Sequence, residues 1–183
     1  SIQSLPAEAQ ELLVACGENL GRMCTALKAT LDGRELYGVT FDVYELVLAV
    51  LCTCRLPGNR TIFLRERGLP LLMRVLAGEE PLDECKSATV RAPPADPSEN
   101  PEGVFSPDAM RVLHVTSAAV LLVAQETEAH HWLHRHTLAE EIESIRALAA
   151  GAVGGVGAAL DVDLGRRVRE ASRAVLTRDK FEG

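Results

Sequence analysis

Apolar side chains recur every three to four residues through most of this chain, the spacing that places them on one face of an α-helix. After Asp42 the apolar positions form a stripe wide enough to pack against neighbours on more than one side. Proline, glycine and asparagine separate the apolar segments, and these residues end helices or open turns. The pattern predicts seven or eight helices, which begin near residues 5, 41, 60, 69, 107, 128, 138 and 163.

Three of the breaks between apolar segments allow specific structural predictions. In the break Leu56-Pro57-Gly58-Asn59, the side chain of Asn59 is predicted to cap the short helix that follows, because asparagine accepts hydrogen bonds from the first N–H groups of a helix. Gly68 is predicted to end that short helix. The glycine-rich run from Gly151 to Gly157 is predicted to be a flexible linker between helices.

Residues 79–106 differ from the rest of the chain. They contain five prolines, and their seven acidic and two basic residues give a net charge of −5. A proline-rich acidic segment buries too little apolar surface to offset the entropy lost on ordering. This composition predicts a flexible surface loop at 79–106 between two groups of helices.

Composition supports a single helical domain over residues 1–183. Hydrophobic residues make up 47% of the chain but aromatic residues only 4%, so Leu, Val and Ala must fill the core. That choice favours helices packed on helices over a β-sandwich, because strands prefer aromatic and β-branched residues. We therefore expect an all-α fold.

Charge and cysteine usage narrow the functional classes. The net charge of −7, without a basic stripe, argues against a nucleic-acid partner, and no apolar run is long enough to span a membrane. The five cysteines are odd in number, and most of them lie within apolar helical patterns. Reduced thiols, and hence a cytoplasmic or nuclear location, are the expectation.

Two blocks of the sequence align at a constant offset of 70 residues. In each block a long apolar helix is followed by a polar break, a short helix and a third amphipathic helix. Once the 28-residue loop is removed, the period is about 42 residues, within the range of ~40–47 of armadillo and HEAT repeats. The matched positions are Val50-Leu51 with Val120-Leu121, Ile62-Phe63 with Trp132-Leu133, and Leu72 and Val75 with Ile142 and Ile145.

The first block resembles an armadillo repeat through Pro57-Gly58-Asn59-Arg60 and the later Gly68-Leu69-Pro70-Leu71-Leu72. The resemblance covers residues 42–78 and, less closely, 108–150, where Thr137-Leu138 replaces the glycine junction and the asparagine is missing. It implies an armadillo-like α-α superhelix, with a closely packed helical bundle as the alternative. It also implies a non-catalytic scaffold or adaptor that binds a protein or peptide in a groove lined by the third helices.

A partner-binding surface follows if the closing helices of the two blocks, residues 70–77 and 138–149, lie side by side. Their apolar positions then face the core, and their polar faces meet the partner. The residues predicted to bind the partner are Arg74, Glu141, Ser144 and Arg146. Mixed charge of this kind suits a protein or peptide better than a phosphate backbone.

Four histidines lie between His130 and His136, and His130 and His134 share one helix face with the spacing of paired metal ligands. Half of such a motif is more common on a solvated helix face, so we expect no metal, no cofactor and no catalytic site. Cys52 and Cys54 are expected to point to different sides of their helix. Two further function classes remain open: an oligomerising structural bundle within a larger assembly, such as a viral or co-chaperone component, and a metal-dependent enzyme that uses the histidines.

Overall fold

A computed structural model describes residues 16–78, 107–136, 139–154 and 158–182. The predicted loop at 79–106, and the part of the first helix before residue 16, lie outside these ranges. The described residues form eight helices and no β-strand, which confirms the all-α fold and the predicted helix number. The helices are α1 (Leu20–Leu31), α2 (Val43–Thr53), α3 (Pro57–Arg65), α4 (Gly68–Leu76), α5 (Pro107–Val123), α6 (Thr127–His136), α7 (Ala139–Gly154) and α8 (Ala158–Glu182).

Local chemistry sets several helix ends. Asp42 is the N-cap of α2, where its carboxylate accepts a hydrogen bond of 3.0 Å from the backbone N–H of Glu45. Pro57 opens α3 in the first turn, where its missing N–H costs nothing. Gly68 begins α4, and a Cβ atom there would lie 2.2 Å from the ring of Phe63. Glycine at this junction therefore lets the Phe63 ring pack against the backbone.

The glycine-rich run after residue 150 is more helical than the sequence predicts. Helix α7 continues through Gly154, so the predicted linker from Gly151 is wrong over its first four residues. Glycine weakens a helix but does not break it as proline does, because glycine keeps its N–H donor. Residues 155–157 lie outside the described part of the chain.

Buried aliphatic side chains join the helices into one core. Helix α5 packs against α2, α4 and α7, and α8 packs against α4 and α7. Among the largest fully buried side chains are those of Phe63, Leu20, Leu27, Leu72, Met73, Leu76 and Leu113. None of the described helices is both long and apolar enough to cross a membrane.

The offset of 70 residues is visible in the structure. Helices α2 and α5 end at Thr53 and Val123, and the next helices begin at Pro57 and Thr127. The backbone N–H groups that follow the two helix ends, of Cys54 and Ala124, donate to the equivalent carbonyls of Val50 and Val120 at the same distance of 2.8 Å. The two blocks therefore share one local structure over the helix-turn-helix that carries the repeat.

The same equivalence holds inside the core. Phe63 and Leu133 are both buried, while their neighbours Ile62 and Trp132 are both half-buried. Val75 and Ile145 are likewise buried in the two closing helices. These predicted core positions of the repeat are confirmed, but Trp132 is less enclosed than Phe63, and Ile142 is only half-buried where its equivalent Leu72 is fully buried.

Candidate functional site

The first residue of the predicted surface, Arg74, is half-buried on α4. Its guanidinium lies 2.9 Å from Oδ1 of Asp32, in the turn after α1. Hydrogen bonds from Arg34 and then from Arg74 lower the pKa of Asp32, so this carboxylate stays ionised beside them. Arg74 thereby ties α4 to the end of α1.

The other three predicted residues lie on α7. Arg146 is exposed and pairs with Glu143 one turn away on the same helix. Ser144 is half-buried, and the side chain of Glu141 lies outside the described residues. Arg74 pairs with Asp32 and Arg146 pairs with Glu143, and neither of these carboxylates belongs to the predicted set.

The two closing helices, α4 and α7, do not form the expected continuous pair. In the residues that the structure describes, both helices pack mainly against α5 and α8. The pair of equivalent helices that packs most extensively is α2 with α5. Sequence periodicity identifies the buried face of each helix but not which helix lies beside it. That Arg74, Glu141, Ser144 and Arg146 bind a partner stays a prediction.

Helices α2 and α5 run side by side in the same direction. Near their first turns, the guanidinium of Arg111 on α5 lies 4.5 Å above the ring of Tyr44 on α2, a cation–π contact. Just beyond their last turns, Nη1 of Arg60 lies 3.3 Å from Oε1 of Glu126. Because the two starts meet and the two ends meet, the helices are parallel.

The outer sides of these two helices form a continuous surface, which we call the α2–α5 face. Its members are half-buried or exposed, and they occupy equivalent positions in the two blocks. On α2 they are Tyr44, Leu48, Leu51, Cys52 and Arg55, and on α5 they are His114, Ala118, Leu121, Leu122 and Gln125. The centre of the face is apolar, and Leu48 leaves 38% of its surface exposed.

The side chains of Asn59 and Arg60 donate hydrogen bonds to the carbonyl groups at the C-terminal end of α2. The Asn59 amide donates to the carbonyl of Thr53 at 2.9 Å, and Nε of Arg60 donates to the carbonyl of Cys54 at 2.9 Å. Nη2 of Arg60 donates to the carbonyl of Arg55 at 3.3 Å. The prediction that Asn59 caps the short helix is therefore wrong. Its side chain instead donates to the carbonyl of Thr53, the last residue of the preceding helix, which has no partner within that helix.

A two-residue turn precedes α2. Leu36 and Val39 exchange two backbone hydrogen bonds of 3.0 and 3.1 Å, and the residues between them, Tyr37 and Gly38, have φ angles of +55° and +73°. Two consecutive positive φ angles are typical of the type I′ turn. Tyr37 at its tip is 94% exposed.

A groove of about 550 Å³ lies between this turn and α1. The large hydrophobic side chains that remain exposed among the described residues lie in the turn, between the turn and α2, or on α2: they are Tyr37, Val39, Phe41 and Leu48. The turn was missed in the sequence, although a glycine after Tyr37, flanked by Leu36 and Val39, is a weak form of the hairpin signal. The residues that line the groove are Asn19, Arg22, Met23, Thr25, Ala26, Leu36, Tyr37, Phe41 and Leu46.

His130, His131 and His134 lie on the exposed side of α6. The rings of His130 and His134 are 4.2 Å apart in a T-shaped contact, which confirms that they share a helix face, and the ring of His131 lies 6.4 Å from that of His130. No group of three or more potential metal ligands occurs among the described residues. The side chain of His136 lies outside them.

The cysteines of α2 point to different sides, as the sequence predicts. Cys52 is exposed, whereas Cys54 is buried in the core. Burial raises the pKa of Cys54 to about 12, and burial followed by the charges of Glu66 and Cys54 raises the pKa of Cys24 to about 12. Both buried thiols therefore stay protonated at neutral pH and act as small apolar core residues.

Comparison of the chain with protein-family models, with curated proteins and with solved structures gave no match.

Proposed function

We propose that this chain is a non-catalytic, armadillo-like protein-interaction domain that binds a protein or peptide partner across the α2–α5 face. The observation that carries the proposal is the parallel packing of two equivalent helices, whose matched outer positions form one surface. Repeat proteins use such surfaces for binding, because each added repeat extends the same face.

The chemistry of the face fits a protein partner. Leu48, Leu51, Leu121 and Leu122 give it an apolar centre, and Arg55 and Gln125 are polar groups at one end. An apolar centre with a polar rim is the usual composition of a protein–protein interface. The chain's net charge of −7 disfavours a phosphate backbone as partner.

This proposal replaces the surface expected on α4 and α7. Arg74 is occupied by Asp32, and Arg146 pairs with Glu143 on its own helix. Both guanidinium groups are therefore already engaged in ion pairs within the chain. The proposed setting is the cytoplasm or nucleus, in keeping with the free thiols of the described cysteines.

A homo-oligomer is the second candidate. The exposed side chains of Tyr37, Val39, Phe41 and Leu48 would suit a second copy of this chain as well as another protein. In that case the domain is a structural unit of a larger assembly.

Site-specific photo-crosslinking in cells tests the proposal. A benzophenone amino acid is placed at Leu48 or Gln125, which are exposed on α2 and just after α5, and at the control positions Thr61 and Glu170, which are exposed on α3 and α8. We expect a discrete crosslinked protein from the first two positions and not from the controls. Crosslinking to a second copy supports the homo-oligomer, and no crosslink, or equal crosslinking at all four positions, contradicts the proposed face.

A further inference from the structure

The groove beside the Leu36–Val39 turn has the lining and the size of a ligand-binding site. Its lining is mainly apolar, with Met23 of α1 on one side and Tyr37 and Phe41 on the other. Its volume of about 550 Å³ lies within the range of ~300–1,000 Å³ that holds bound ligands in proteins. A groove of this size accommodates one large side chain together with its flanking backbone.

The turn holds Tyr37 in a left-handed backbone conformation with its aromatic ring exposed. Tyr37 has a φ angle of +55°, which non-glycine residues seldom adopt, and two hydrogen bonds between Leu36 and Val39 hold it there. The side chain gains no burial in return, since it is 94% exposed. Strained backbone of this kind concentrates at binding and catalytic sites.

The polar groups that line the groove determine which charge on a bound ligand is favoured. Arg22 is exposed and is the single charged residue among the described residues that line the groove. The hydroxyl of Thr25 donates to the carbonyl of Gly21 at 2.9 Å, so its proton is already engaged. The groove therefore offers apolar walls and one cation, within a protein whose net charge is −7.

We propose that this groove binds a peptide segment of the partner that carries one large apolar side chain with a carboxylate close to it in sequence. The apolar side chain packs among Met23, Tyr37 and Phe41, and the carboxylate pairs with the guanidinium of Arg22. This inference rests on the proposed function and specifies the partner's chemistry.

The groove lies on a different side of α2 from the α2–α5 face. Leu46, which lines the groove, and Leu48, which belongs to that face, are two positions apart on the helix, so a partner that contacts both must pass around α2. Four exposed carboxylates adjacent in sequence to the lining residues disfavour a polyacidic segment, namely those of Glu18, Glu35, Asp42 and Glu45. One or two acidic residues next to an apolar anchor match this distribution of charge.

Selection from a phage-displayed library of random 12-residue peptides, with the full chain as bait, tests the inference. We expect the enriched peptides to share a large apolar residue with Asp or Glu within about three positions. Arg22→Glu should weaken binding of the synthetic consensus peptide about tenfold or more, which corresponds to about 1.4 kcal/mol, and should enrich Lys or Arg in place of the acid. Arg65→Glu, an exposed substitution on α3, is the matched control and should retain the original preference.

The outcomes separate this inference from the function on which it rests. No enrichment, an enriched motif without an acidic residue, or equal effects of Arg22→Glu and Arg65→Glu overturns the groove assignment. If a partner nevertheless crosslinks to Leu48 and Gln125 and not to the control positions, the proposed function stands without the groove. Thermal unfolding of each variant by circular dichroism shows whether a loss of binding reflects a loss of fold.

Discussion

The guanidinium of Arg60 joins the two repeat blocks through Glu126. Its side chain is only 11% exposed, and it donates to the carbonyls of Cys54 and Arg55 at the end of α2 while Nη1 lies 3.3 Å from the Glu126 carboxylate. The Arg60 side chain thus binds the carbonyl groups at the end of α2 and links that end to the start of α6. Sequence alone could not reveal this contact, because the two residues are 66 positions apart.

Removing the Arg60 side chain should cost far more stability than neutralising its partner. Arg60→Met leaves buried carbonyl groups and Glu126 without their donor, so we expect a loss of about 2–4 kcal/mol. Glu126→Gln keeps a hydrogen-bond acceptor at a site that is 28% exposed, and we expect less than about 1 kcal/mol. Urea unfolding followed by circular dichroism measures both, with the exposed Arg65→Met as control. Equal losses for the two partners would show that the carbonyl contacts contribute nothing.

Two glycines provide a matched test of the junction between α3 and α4. Gly68→Ala places a methyl group 2.2 Å from the ring of Phe63, so the ring must move, and we expect a loss of about 2–3 kcal/mol. Gly58→Ala has nothing within 4 Å of its new Cβ and lies within α3, so it should leave stability unchanged or raise it by up to about 1 kcal/mol. The same unfolding assay compares the two, and a neutral Gly68→Ala would refute the proposed packing of Phe63.

Equivalent positions of the repeat should respond in proportion to their burial. Phe63 is fully buried and Trp132 only half-buried, so Phe63→Ala should cost about 3–5 kcal/mol and Trp132→Ala about 1–3 kcal/mol. Leu133 is the positional equivalent of Phe63, and Leu133→Ala should lower the free energy of unfolding by about 2–4 kcal/mol. The midpoints of urea unfolding, compared at a constant m-value, rank the three variants by their loss of stability. A larger loss at Trp132 than at Phe63 would contradict the register of the alignment.

The cysteines should separate into two classes of reactivity. At pH 8 the native chain should react with a maleimide at exposed Cys52, whereas Cys24 and Cys54, with pKa values raised to about 12, should react only after unfolding. Mass spectrometry of peptides after timed labelling identifies the sites, and Cys52→Ser removes the fast reaction in a background in which Cys16 and Cys85 are replaced by serine. Labelling of Cys24 or Cys54 at the same rate as Cys52 would show that the reagent reaches the core of the folded chain and would contradict the burial of these thiols.

The same two thiols make stability depend on alkaline pH. Their pKa values are about 12 in the folded state against an ordinary value of 9.0, so the folded state holds the protons more tightly than the unfolded state. Their contribution is complete below pH 9 and is lost as the pH rises through the folded-state values. Urea midpoints measured from pH 8 to pH 11 should therefore fall in the wild type and fall less in Cys24→Ala. Parallel slopes in the two proteins would contradict this account.

Helical periodicity predicted the buried face of each block correctly, and Val50, Val75, Val120 and Ile145 are all buried. The same periodicity contains no information about which helix lies beside which, so α4 and α7 were paired where α2 and α5 form the extensive contact. The role of Asn59 was misassigned because an asparagine between two helices can cap either of them. Only the position of its side chain relative to the Thr53 carbonyl decides between these roles.

The candidate binding surface was the least predictable part of the molecule. Tyr37 and Phe41 look like ordinary core residues in the sequence, and their exposure follows from a turn that depends on two positive φ angles. Arg74, by contrast, looks like a surface charge in the sequence and is half-buried against Asp32. The sequence shows which residues are apolar and how they are spaced, but tertiary packing decides which of them remain exposed to solvent.

The parallel packing of α2 and α5 is the relationship on which the proposed face depends, and spin labels measure it most directly. Nitroxides are placed at Arg55 and Gln125, both exposed just beyond the ends of the two helices, in a background in which Cys16, Cys52 and Cys85 are replaced by serine. Neighbouring helix axes lie about 8–10 Å apart, so the account predicts strong dipolar broadening in the continuous-wave spectrum of the doubly labelled chain. A spectrum equal to the sum of the two singly labelled spectra would contradict it.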